Sequence, residues 1–144
     1  MNVSVISPFP VHPVNTGGAR RTMALANHLR GQGHTVSIFC PPSPQGNAQP
    51  PADGFRWRFF RHWPSLIAYF FHPELFLALL RRTRRDRGAM VLSFPFHAVP
   101  VFLVSRLTRV PFYLDAHNVE HDRYFSMKKP VIACGVFFLE WLAV

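Results

Sequence analysis

Side chains able to do chemistry gather in two stretches of this chain, with one further histidine between them. The denser stretch is Asp115-Ala116-His117-Asn118-Val119-Glu120-His121, two histidines and three other polar groups within seven residues. His117, Glu120 and His121 spell H-x-x-E-H, which on a continuous helix would set both imidazoles on one face to bind Zn²⁺, with the glutamate as base. That reading needs a helix here and a third ligand, for which Glu140 stands further along. The preceding Pro-Phe-Tyr-Leu-Asp-Ala reads instead as a strand that ends at Asp115, leaving the polar groups in a loop. The second stretch is Gly17-Gly18 followed by Arg20 and Arg21. A helix start offers unpaired N–H groups and partial positive charge, glycine admits close approach of a phosphate, and the arginines add charge beside it. The alternative for the glycine pair is a turn that binds nothing. His97 follows an apolar run and falls where a sheet's ligands are expected.

These groups need elements to hold them. Val3 to Ile6 is a short apolar run, as a buried parallel strand requires. Pro8, Pro10 and Pro13 forbid regular structure before Gly17. From about Ala19 to Arg30, Met23, Leu25, Ala26 and Leu29 make one apolar stripe, and Gly31 and Gly33 bracket the helix end. Val36, Ile38 and Phe39 form the next strand. A strand-helix-strand of this length is a right-handed parallel unit, so the expected fold is α/β, a doubly wound, mostly parallel sheet. The dinucleotide pattern G-x-G-x-x-G and the P-loop are both absent.

Pro41 to Gly54 reads as an exposed loop. Phe55-Arg56-Trp57-Arg58-Phe59 alternates aromatic and basic residues, giving a strand with Phe55, Trp57 and Phe59 in the core and a basic opposite face. Stacking on single-stranded nucleic acid is the alternative use of such a pattern. Pro73 suits the first position of a helix, Glu74 its positive end, and the arginines after Leu80 its negative end. Arg-Arg-Thr-Arg-Arg-Asp-Arg behind an aromatic, leucine-rich segment reads either as the solvated cap of a buried helix or as a patch for an anionic membrane surface. Met90 to Ser93 is a further strand, Ala98 to Leu107 a helix, Phe112 to Leu114 a strand, and Val131 to Val144 an apolar helix.

The totals fit this organisation. The 144 residues suffice for one domain with a core; 49% are hydrophobic and 16% charged, which excludes a disordered chain. Sixteen Lys and Arg against seven Asp and Glu give +9, which favours anionic partners. Cys40 and Cys134 form neither a disulfide framework nor a CxxC metal site, so a reducing cytosol is the simplest setting. Prolines interrupt the N-terminal apolar run before a secretory h-region could form, and His72, Pro73 and Glu74 interrupt the best membrane-span candidate, Leu66 to Leu80.

The segment SPFPVHPVNTGGARRTMALANHLRGQGHTVSIFC resembles the opening of family 4 glycosyltransferases of the GT-B type, through Gly17, Gly18, Gly33 and His34. DAHNVEHDRY is a second match, in the right order, and the two cover under half of the chain. The resemblance implies the N-terminal, acceptor-side Rossmann-like half of such an enzyme, residues 1–144 being one domain and the donor-binding domain lying outside this chain. It implies transfer of a sugar from a nucleotide-sugar donor to a glycan or lipid-linked acceptor, with retention and without a metal or other cofactor, as in polysaccharide biosynthesis. Gly17, Gly18, Arg20 and Arg21 would then meet the donor phosphate. Asp115, His117, Asn118 and Glu120 would line the acceptor side with His97, the catalytic candidate. Relatives often carry a histidine after this strand near the donor sugar, and Ser93, Phe94 and Pro95 hold places where it can fall. The resemblance also implies little turnover by this chain alone, a cytoplasmic place at or near the inner membrane face, and no nucleic-acid partner. Two rival classes remain at this point: a zinc hydrolase built on His117, Glu120 and His121, and a non-catalytic basic module for membranes or nucleic acid.

Overall fold

The computed structural model describes residues 1–43, 53–61, 71–115, 122, 126–128 and 130–143. Its frame is a five-stranded parallel sheet in the order β3-β2-β1-β4-β5. In chain order the elements are β1 (Asn2–Ile6), α1 (Gly17–Gly31), β2 (Thr35–Cys40), β3 (Arg56–Phe59), α2 (Pro73–Arg85), β4 (Gly88–Leu92), a 3₁₀ turn (Pro95–His97), α3 (Ala98–Thr108), β5 (Phe112–Leu114) and α4 (Pro130–Ala143). The α/β fold expected from the sequence, a doubly wound parallel sheet, is thus present.

Alternation along the strands divides the apolar side chains between two cores. Val3 and Val5 of β1, with Val36, Ile38 and Cys40 of β2, face α1 and pack on Ala26 and Phe55. Ile6, Phe39, Met90 and Leu92 point the other way, into a second core with Leu75 and Leu79 of α2, Val101 and Val104 of α3, and Leu139 of α4. The apolar stripe on α2 is therefore spent largely on the core, and Leu77 is its half-exposed exception. No helix among the described residues is long and apolar enough to cross a membrane.

The first two helices have local signals at their ends. Thr16 caps α1, its hydroxyl accepting from the Ala19 amide at 3.1 Å. Gly33, at φ +80°, lets the chain leave α1 and turn into β2. Pro73 opens α2, as expected, and Glu74 lies in its first turn.

The β3 strand departs from expectation in one respect. Phe55 is buried and Trp57 half-buried on the α1 core, but Phe59 is an exposed residue stacked on Trp57, centroids 6.2 Å apart. Because β3 is the edge strand of the sheet, its last residue runs past the cover that α1 provides.

Cys40 is fully buried at the end of β2, and this predicts a pH dependence. Burial pushes its thiol up from 9.0 to about 11, partly offset by a backbone hydrogen bond from Val11. A folded pKa above the unfolded one means that stability is complete below pH 9 and is lost as pH rises toward 11. The expected loss by pH 11 is about 2 kcal/mol. Urea unfolding at pH 8 and pH 11 should show it in the native chain, and the loss should shrink by that amount in Cys40→Ala, where the other alkaline groups still titrate.

Candidate active site at the carboxyl ends of the strands

Strand order reverses between β1 and β4, and the chain leaves these strands in opposite directions to form α1 and α3. The crevice outside their carboxyl ends is where an open α/β sheet takes its ligands. Here the two strands are tied at their exits, the Ser93 amide donating to the Ile6 carbonyl at 2.9 Å. Beyond this tie Phe9, Phe94 and Phe96 form an aromatic wall, with Phe9 edge-on to Phe94 at 5.3 Å and to Phe96 at 6.0 Å. Ser93 is fully buried at its base, and its hydroxyl has no hydrogen-bond partner among the described residues.

The N-terminus of α1 opens onto this wall. A Cβ placed on Gly18 would lie 3.4 Å from the Phe94 ring, in ordinary contact, while one on Gly17 would meet nothing within 4 Å. The pair is thus a helix start with open space beside Gly17 and the aromatic wall against Gly18. Thr16 occupies the Ala19 amide, and helix geometry leaves the Gly17 and Gly18 N–H groups without an intrahelical acceptor.

Arg21 and Asp115, 94 residues apart in sequence, meet here. The Arg21 Nη2 donates to Asp115 Oδ1 at 2.7 Å and its Nε reaches Oδ2 at 3.4 Å. Asp115 is placed by the sheet, its own amide donating to the Leu92 carbonyl at 2.8 Å as β5 ends. The hydrogen bond to Asp115 and its charge raise the Arg21 pKa above its ordinary value, so this guanidinium keeps its charge throughout the working range of pH. With the arginine side chain about half exposed, the pair adds little to stability but fixes one fork of positive charge beside the glycines. Arg20 is exposed on the same turn.

The structure therefore brings Gly17, Gly18, Arg21 and Asp115 to one end of the sheet. It places His97 differently. The His97 ring is 3% exposed and packs edge-on against Phe60 at 5.4 Å and His72 at 5.6 Å, beneath the wall rather than on it. His117, Asn118, Glu120 and His121 lie outside the described residues, as does the segment a zinc site of the H-x-x-E-H type would use. Among the described residues no three His, Cys, Asp or Glu side chains are grouped to hold a metal. Sequence reasoning missed the Phe9–Phe94–Phe96 wall, although Phe9, Phe94 and Phe96 each directly precede or follow a proline after a strand. It also missed the burial of His72 beside His97.

A parallel sheet with this order and a glycine-started helix facing the reversal point define a Rossmann-like α/β domain. The family description "Glycosyl transferase 4-like domain" matches residues 16–143, and the chain belongs to that family. Among solved structures, the chain is similar to a UGT transferase from Siraitia grosvenorii crystallised with UDP, at 18% identity and a TM-score of 0.51, a likeness of fold. That match covers 79% of this chain and 23% of the other, so this chain spans about a quarter of that transferase's length. Comparison with curated proteins gives no match.

Proposed function

We propose that this domain forms the acceptor-side wall of a retaining glycosyltransferase that moves a sugar from a nucleotide-sugar donor to a glycan or lipid-linked acceptor. The observation that carries the reading is the open N-terminus of α1, with Gly17 facing empty space and Arg21 held beside it by Asp115. In the reaction the glycosidic bond between sugar and diphosphate breaks as the acceptor hydroxyl oxygen bonds to the anomeric carbon; the diphosphate leaves with the electron pair and takes up the hydroxyl's proton. The Gly17 and Gly18 amides and the α1 dipole meet the charge that grows on the departing oxygen, a role requiring no reorganisation of the protein. Arg21, with Arg20, adds charge at the mouth, and Asp115 keeps the guanidinium from folding over the glycines. The aromatic wall provides an apolar face for a sugar ring and excludes water from the reacting carbon. His97 underlies this wall through the Pro95–His97 turn; His117, Asn118 and Glu120, outside the described residues, are the further acceptor-side candidates of this reading.

The opposite wall of the cleft belongs to a second domain in this reading, so the 144-residue chain binds donor without turning it over at a useful rate. The test is thermal unfolding with UDP, other nucleoside diphosphates and their sugar conjugates, since a ligand of the folded state raises the midpoint. One nucleotide should raise the midpoint, and Gly17→Val should remove more than about half of that rise by occupying the phosphate approach. Its unliganded midpoint should stay near that of the native chain, because a Cβ at this position meets no atom within 4 Å. A rise equal in both proteins, no rise with any nucleotide, or steady sugar transfer by this chain alone would each count against the proposal.

A further inference from the structure

On the α2 face of the sheet, a cavity of about 410 Å³ opens between β3 and α2. Its lining is dominated by arginine: Arg56 and Arg58 from the strand, and Arg81, Arg82 and Arg85 from the helix, with Asp86 the one carboxylate. The sequence contains the reason for this convergence. Arg56 and Arg58 are two apart on a strand, so both project from one face, and the register with Ser37 and Phe39 makes it the α2 face. Arg81 and Arg85 are one turn apart on α2, so they share a stripe, and Arg82 flanks it. The two basic clusters, some twenty residues apart in sequence, are thus set face to face.

Like charges on facing elements repel; Arg56, Arg58, Arg81 and Arg85 are exposed around the cavity, and Arg82 is held inside it. The Arg82 side chain is only 13% exposed. Its guanidinium pairs with Asp86 and donates from Nη2 to the Asn2 Oδ1 at 3.3 Å, which fixes it at the start of β1. Burial, and then the charges of Arg56 and Arg58, push its pKa down from the ordinary arginine value. A single carboxylate cannot neutralise five guanidinium groups, and each has a planar fork suited to a phosphate oxygen pair.

We propose that this cavity is a second anion site, separate from the α1 glycines, which takes a compact ligand with two or more phosphate charges. Its chemistry is shared by free diphosphates and by phosphate-monoester headgroups of lipids. The site needs nothing from the α1 glycines: its arginines project from the face of the sheet that packs on α2, and α1 packs on the opposite face.

The test is titration calorimetry of the 144-residue chain with inorganic diphosphate at low salt, for native protein, Arg58→Gln, Arg81→Gln and Arg84→Gln. Arg84 is exposed on the same helix but does not line the cavity, so its loss removes the same charge without touching the site. Arg58→Gln and Arg81→Gln should each raise Kd about tenfold or more, the loss of one charge-assisted fork, while Arg84→Gln changes it less than about twofold. Arg58→Gln should also raise the melting midpoint without ligand, because repulsion is relieved, and reduce the further rise on adding diphosphate; this second readout shows that the variant is folded. Equal weakening by all three substitutions, or no binding of diphosphate to native protein, would overturn the proposal. Phosphatidylcholine vesicles with and without phosphatidic acid then distinguish the source. Binding to the phosphatidic-acid vesicles that needs Arg58 and Arg81 and is displaced by diphosphate identifies a lipid headgroup. Diphosphate binding without such vesicle binding identifies a soluble anion.

Discussion

Replacing Gly88 with alanine is expected to cost about 3–4 kcal/mol of folding stability, beyond the usual range for adding a methyl group to a packed interior. Gly88 opens β4 and pairs in register with Asn2 of β1, at the centre of the sheet. A Cβ there would sit 1.8 Å from the Asn2 carbonyl oxygen and 2.7 Å from its carbon. Real Cβ atoms keep at least 3.0 Å, so the two backbones would have to part by more than 1 Å at the first rung of the ladder. The obstacle is main chain, which has no rotamer to change. Separation would also disturb the Asn2 side chain that anchors Arg82, and the Ala89 and Met90 side chains that follow into opposite cores. A domain of this size has only about 5–15 kcal/mol in total, so the variant should unfold at a markedly lower urea concentration. Gly31→Ala is the internal comparison. It lies in the last turn of α1 with nothing within 4 Å of the new methyl, and it should stabilise by about 0.5 kcal/mol through the unfolded chain. A loss below about 1 kcal/mol for Gly88→Ala, within the ordinary range for surface changes, would mean that the strand start yields without moving β1.

The Gly88 case shows which parts of this fold can be read from letters. Val3 to Ile6, Thr35 to Cys40 and Phe112 to Leu114 announce themselves because a buried parallel strand is a short apolar run between breakers. Pro73 and the arginines after Leu80 mark both ends of α2 for equally local reasons. Gly88 looks like a turn residue after an arginine run, so in the sequence the strand reads as starting at Met90; that it must be glycine depends on a neighbour 86 residues earlier in the chain. The same distinction runs through the candidate site. The glycine pair is legible as a helix start, because helix geometry makes its amides available wherever the helix lies. That Arg21 closes on Asp115 follows only once α1 and β5 are placed on the same edge of the cleft. His97 was legible as a residue after a strand, but the direction of its ring depends on whether space exists inside, and Phe60 and His72 provide it. The arginines of β3 and α2 were each legible as basic faces; that they face one another is a property of the crossover alone.

His72→Ala is expected to cost about 3 kcal/mol, the sum of a lost helix cap, an abandoned carbonyl and a cavity. His72 is 1% exposed and uses both ring nitrogens. Nδ1 accepts from the Leu75 amide at 3.2 Å, capping α2, which requires the proton on Nε2, and Nε2 then donates to the Arg61 carbonyl at 2.8 Å. Glu74 completes the clasp, its Oε2 accepting from the Arg61 amide at 2.9 Å. The N-terminus of α2 thereby holds both backbone groups of Arg61, where the chain leaves β3. The same ring packs edge-on to Phe60 at 4.9 Å and to His97 at 5.6 Å, so it also forms the support beneath the Pro95–His97 turn and the aromatic wall above it. Asparagine offers a carbonyl oxygen near the place of Nδ1 but nothing that reaches Arg61. His72→Asn should therefore recover about 1 kcal/mol, the value of the cap, and no more. Chemical denaturation of the native, alanine and asparagine proteins measures both steps. Equal losses in the two variants would assign the whole effect to the Arg61 contact and the cavity. If the alanine variant lost less than about 1 kcal/mol, the histidine would be an ordinary cap, and its ring would contribute nothing to holding the wall in place.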